Sequence, residues 1–156
     1  MADLTSTSTS LFEGDTSDVV TTAQHPVGTK AGDKDGNEYI YLLGVASTAA
    51  GSWVSFDEDG ATALLVANAK GRVAVAMAAI VASSYGWYQI YGKNTIALAL
   101  TGFADNANIW STATPGSVDD AVVAGDQIIG AIGRSAVSGG IITAELNYPL
   151  ATDVIA

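Results

Sequence analysis

The residues able to do chemistry are few in this chain, and they are scattered. A single histidine, His25, precedes Pro26, and cysteine is absent. Thiol nucleophiles, thiolate metal sites and disulfide frameworks are therefore excluded, and a multi-histidine zinc site cannot form. A lone histidine is expected at a surface or a contact, not in catalysis. Carboxylates cluster twice. Asp33-Lys34-Asp35-Gly36-Asn37-Glu38 superficially resembles a calcium loop, but an EF-hand needs Gly at its sixth place and a bidentate Glu at its twelfth. Glu38 and Gly44 stand there instead. A hairpin turn is the better reading, because Asp-Gly supplies the positive φ that such turns require. Asp57-Glu58-Asp59-Gly60 could offer oxygen ligands to a divalent ion; its expected role is a solvated acidic turn ending in Gly.

The nucleotide and nucleophile signatures are missing: there is no G-x-S-x-G elbow, no P-loop and no G-x-G-x-x-G fingerprint. Gly130-Ala131-Ile132-Gly133 holds only two of the needed glycines and sits in a strand-like run, where Gly marks a bulge. The aromatic residues are the remaining chemistry. Trp53, Trp87 and Trp110, with Tyr85, Tyr88 and Tyr91, could form a sugar-stacking platform whose face is Trp87, Tyr88 and Tyr91. Aromatic residues in small β domains more often serve the core or a subunit contact. No enzyme, no metal and no cofactor is expected.

The elements that would position these residues are short. From residue 26 onward, Gly, Asn and Asp divide the chain into runs with strand character. These are 38–45, 53–56, 63–67, 73–81, 87–91, 95–100, 107–112, 127–132 and 141–146. Such spacing predicts an all-β fold, a compact β-barrel or β-sandwich body with little helix. Tyr39 and Tyr41 alternate with Ile40 and Leu42, so both faces of that strand should meet protein. Alanine favours helix, yet Val73, Val75 and Met77 alternate with Ala74, Ala76 and Ala78, which is a strand period. A short helix around 61–70 or 118–124 is the expected exception.

At 156 residues and 15.8 kDa, one domain is expected, and it can bury a core unaided. Its bounds are 26–156. Residues 1–25 are rich in Thr, Ser and Asp, with Leu11, Phe12, Val19 and Val20 as the large apolar residues. They predict an extended N-terminal arm that gains order against a neighbour through those four side chains. Six basic residues against 16 acidic ones give a net charge of -10. That balance argues against nucleic acid and anionic membranes, both of which select clustered Lys and Arg. The apolar run 73–82 is shorter than the roughly 20 residues of a membrane helix. MADLTSTSTS lacks the basic start and apolar stretch of a signal peptide. With cysteine absent, synthesis in a reducing cytoplasm is the expectation.

Several stretches together resemble the small capsid decoration, or cement, proteins of tailed bacteriophages. They are Pro26-Val27-Gly28-Thr29, Asp35-Gly36-Asn37-Glu38-Tyr39-Ile40-Tyr41, Ala50-Gly51-Ser52-Trp53-Val54 and Tyr85-Gly86-Trp87-Tyr88-Gln89-Ile90-Tyr91-Gly92. Ala124-Gly125-Asp126-Gln127-Ile128-Ile129-Gly130 and Gly139-Gly140-Ile141-Ile142 complete the set. The resemblance spans residues 26 to about 148 and rests on loose β-turn patterns, so no contact residue is carried over. It implies a structural virion protein on the capsid exterior, a homo-oligomer (a trimer) that clamps neighbouring major capsid protein subunits. Other readings are a tail- or fibre-associated virion domain, or a carbohydrate-binding module on the aromatic face.

Overall fold

The computed structural model describes residues 15–153, which form ten β-strands and no helix. In chain order the strands are β1 (Lys30–Gly32), β2 (Glu38–Leu43), β3 (Trp53–Phe56), β4 (Thr62–Leu64) and β5 (Gly71–Ala76). They continue with β6 (Tyr85–Leu98), β7 (Asn108–Ser111), β8 (Val118–Asp119), β9 (Gln127–Gly133) and β10 (Ile141–Ala151). All ladders between these strands are antiparallel, in the order β1-β2-β6-β5-β10-β9-β7-β8, with β3 on β5 and β4 on β3.

The Asp-Gly turn joins β1 to β2, with Gly36 at φ +85°. Asp33 organises it. One carboxylate oxygen accepts from the backbone amides of Asp35 and Asn37, the other from the Asn37 side chain and the Tyr39 hydroxyl. Burial works to raise the pKa of this carboxyl, but those hydrogen bonds outweigh it and hold the group below its usual value.

β6 and β10 make a fork. They pair from Tyr91 to Leu98 against Asn147 to Ile141 and then diverge. The first half of β6 runs to β2 and β5, whereas the end of β10 runs to β5 and β9. β5 lies across the opening. Gly71 and Arg72 pair with β10, Val75 and Ala76 pair with β6, and the opposite edge of β5 carries β3. This arrangement places β5 between two cores. Val73 and Val75 enter the larger one, with Trp53, Phe103, Ile109, Ile128, Ile142 and Leu146. Ala74 and Ala76 enter the second, with Ile40, Leu42, Val54, Phe56, Tyr88 and Ile90. The alternation of Val and Ala thus reflects a strand covered on both faces, with small side chains where the second layer comes close.

An all-β body is what the spacing predicts, and the structure has it. The sheet, however, is not closed into a barrel. It branches at β5, and its terminal strands β1 and β8 carry only three and two residues. The helix expected near 61–70 or 118–124 is absent; those ranges hold β4 and β8. The strand expected over 73–81 ends at Ala76, because the chain then turns to place Ile80 fully inside the second core. The runs 87–91 and 95–100 merge largely into the single strand β6.

Tyr88 is fully buried in the second core, and among the described residues its hydroxyl has no hydrogen-bond partner. The Thr62 hydroxyl lies close enough to act on the phenol as a side-chain hydrogen bond would, but it is short of hydrogen-bond geometry and itself donates to the Leu43 carbonyl at 2.7 Å. Burial pushes the Tyr88 phenol up to about 12. Tyr88→Phe removes an unsatisfied polar group and should be neutral or stabilising by up to about 1 kcal/mol. A urea midpoint that falls by more than this would mean that the hydroxyl is satisfied in solution.

Candidate functional site

Trp87, Tyr88 and Tyr91 do not share one exposed face. Trp87 and Tyr88 are neighbours on β6 and point to opposite sides of the sheet, both buried. Tyr91 alone is exposed. Trp87 packs with Tyr39 and Tyr41 on the outer side of β2 and β6. Both faces of β2 are therefore covered, as its alternation predicts, and part of the cover is the chain's own N-terminal segment. Val20 exchanges two backbone hydrogen bonds with Tyr85, at 3.1 and 2.8 Å. The Gln24 amide donates to the Tyr41 hydroxyl at 3.3 Å. The His25 ring lies edge-on to Tyr41 at 5.1 Å and 5.5 Å from Trp87.

Of the four apolar arm residues, these contacts concern Val20 alone. Val20 is bound within its own subunit and does not wait for a neighbour, because the aromatic surface of β2 and β6 offers it an apolar seat and an edge partner. Val19 is exposed. Leu11 and Phe12 lie outside the described residues.

The two carboxylate turns act on their own backbones. Asp57 accepts from the amides of Asp59 and Ala61, closing the β3–β4 hairpin. Among the described residues, no group of three or more His, Cys, Asp or Glu is placed to hold a metal ion. Gly130, at φ +81°, lies opposite the bulge in β10, and a Cβ there would sit 2.6 Å from the Asn147 carbonyl oxygen.

That bulge builds the most distinctive surface. Between Leu146 and Leu150 β10 carries two residues more than β9 does, which breaks the in–out alternation. Tyr148 takes φ +49°, uncommon for a bulky side chain. Its ring lies 5.2 Å from that of Tyr91, and its hydroxyl donates to Glu38. That bond to a carboxylate pushes the Tyr148 phenol up to about 12. Leu150 and Ile129 are cross-strand partners beside it. Tyr91, Ile129, Tyr148 and Leu150, each 38–51% exposed, form an apolar strip on rigid strands.

Cations lie beside this strip. Arg72 reaches over the Phe56 ring at 4.5 Å and donates to the Asp57 carbonyl at 3.0 Å. An open groove of about 560 Å³ runs past Phe56, Arg72 and Leu150. Lys34, Lys70 and Arg134 are ion-paired with Asp35, Asp153 and Glu145, whereas Lys30, Arg72 and Lys93 have no carboxylate at salt-bridge distance among the described residues.

Comparison of the chain with known protein families, characterised proteins and solved structures finds no match.

Sequence reasoning reached Tyr91 but missed Tyr148, Ile129 and Leu150. One signal was available: Ile128 and Ile129 are adjacent in a strand, so one of them must face outward. The aim of Tyr148 depends on a bulge set by long-range register, which local pattern does not encode.

Proposed function

We infer that this chain is a structural virion protein. It decorates the exterior of an expanded bacteriophage capsid and bridges neighbouring major capsid protein subunits, as a homo-oligomer of three copies. The observation that carries this reading is the strip Tyr91, Ile129, Tyr148 and Leu150, held on strands and open to a partner. Tyrosine-rich surfaces on a rigid scaffold favour association, since their apolar area is large and little side-chain entropy is lost on contact. The family resemblance of residues 26 to about 148 supplies the partner. The net charge of -10 suits a surface turned away from DNA.

The test is imaging of virions that contain this chain, together with light scattering of the free protein. Density for the body at regular exterior lattice positions, and a mass three times 15.8 kDa, are expected. Leu150→Ser and Tyr91→Ser, which alter exposed positions, should weaken capsid binding by about tenfold or more while leaving the circular dichroism unchanged. Density confined to the tail, or a saccharide-specific signal on a glycan array, would overturn the reading.

A further inference from the structure

Where β6 and β10 diverge, the fork leaves a cavity of about 60 Å³ at the open end of the second core. Its floor is apolar, made by Ile40, Phe56, Val73, Ile90 and Pro149. Its remaining lining consists of Lys30, Arg72 and Tyr148, with no carboxylate. Lys30 comes from β1, at one end of the sheet order, and Arg72 from β5 in its middle, so two strands that do not pair bring two cations to one mouth. In a chain with 16 acidic and six basic residues this is an unusual concentration. Both cations lack a carboxylate partner among the described residues. Glu38, the acid bonded to Tyr148 at the rim, is occupied by that hydroxyl. The third feature is backbone strain: Tyr148 is held at φ +49° where the bulge aims it at the mouth.

We propose that this cavity is a binding site for a small organic monocarboxylate with an apolar stem. The stem enters between Phe56, Ile90 and Pro149, and the carboxylate remains at the mouth between the Lys30 ammonium and the Arg72 guanidinium. An apolar floor with a few convergent polar groups is the usual make-up of a small-molecule site. A charge-assisted bond to the planar guanidinium orients the headgroup, and Lys30 adds a mobile point charge. A neutral ligand of the same shape would leave both cations unpaired. Inorganic anions would gain nothing from the floor. The inference is independent of the capsid reading, because it concerns the free subunit.

Butyrate is the probe, with butan-1-ol and inorganic phosphate as comparisons, each titrated into the full chain while amide and methyl resonances are followed. Butyrate should shift Ile40 and Ile90 saturably, and butan-1-ol and phosphate should each bind about tenfold more weakly or worse, since each lacks one half of the recognition. Lys30→Gln should weaken butyrate binding by about tenfold. Lys30 is exposed, and among the described residues its side chain makes no hydrogen bond or ion pair, so this variant retains the fold. Arg72→Gln should do the same, with an otherwise unchanged spectrum as its folding control. The proposal is overturned if butyrate gives no saturable shift up to about 100 mM. It fails equally if butan-1-ol or phosphate matches butyrate, or if Lys30→Gln binds butyrate as the parent does.

Discussion

Gly51→Ala is expected to cost about 4 kcal/mol, enough to leave a large fraction of the chain unfolded if total stability lies in the usual range. Gly51 sits at φ +86°, donates its amide to the Ala76 carbonyl at 2.8 Å and accepts from the Leu98 amide at 2.9 Å. It therefore ties the end of β5 to the end of β6. A Cβ at this position would lie 1.9 Å from the Ile96 carbonyl oxygen. That backbone must move, and both tie points move with it. The left-handed conformation costs about 1 kcal/mol for alanine, and each disturbed buried hydrogen bond about 1–3 kcal/mol. Gly36→Ala is the internal control. Its φ of +85° is nearly the same, but nothing lies within 4 Å of the added carbon. Only the conformational cost of about 1 kcal/mol should appear there. Urea midpoints measure both variants; equal losses would show that the approach of Ile96 does not constrain the chain.

Gln89→Leu should be the second large effect, at about 3 kcal/mol. Gln89 and Asn94 are the buried amides of β6. The Gln89 side chain donates to the carbonyls of Tyr91 and Lys93, at 3.0 and 3.1 Å, and so spans Gly92 at φ +98°. Its oxygen accepts from the Asn94 side chain at 3.0 Å, and the Asn94 oxygen accepts from the Ile96 amide at 2.9 Å. This network holds the place where β6 passes from β2 and β5 to β10. Leucine would fill the volume but leave two carbonyls and an amide donor unsatisfied. Hydrogen exchange offers a finer reading than the midpoint alone: the amides from Tyr91 to Ile96 should lose protection before those of β9. Uniform loss along both strands would assign the network to general stability, not to the strand's change of partners.

What the sequence made legible was local. The Asp35-Gly36 turn, the two-sided β2 and the strand period under the Ala-rich stretch all follow from neighbours a few residues apart. The fork does not. It depends on β6 remaining one strand through Gly92, and pattern alone splits it there because Gly normally ends a run. The burial of Trp87 and Tyr88 was legible, but the source of their cover was not. Consecutive large side chains imply two covered faces, but not which segment covers them, and the N-terminal segment that seats Val20 carries little apolar signal of its own. The surface strip was the least legible part, since its exposure follows from a register shift between β9 and β10 that no single strand reveals.

The position of β10 bears on how the protein comes off the ribosome. This strand pairs with β5, β6 and β9, so it stands in the middle of the sheet although it is synthesised last of the ten. Until residue 141 has been added, β9 with β7 and β8 has no strand ladder to the β5–β6 half, in place of which stand ties such as the bridge of Ala99 to Val118 and the backbone bonds of Gly116 with Trp53 and Leu65, and the larger core lacks Ile142, Ala144 and Leu146. Pairings of this sequence separation are slow to form, because the intervening loop must be ordered before the contacts stabilise it. The nascent chain therefore emerges as two incomplete pieces with exposed Val and Ile. Their joining waits on β10, and a chain ended before residue 141 would lack the strand that links them, so it would not be a smaller version of the fold.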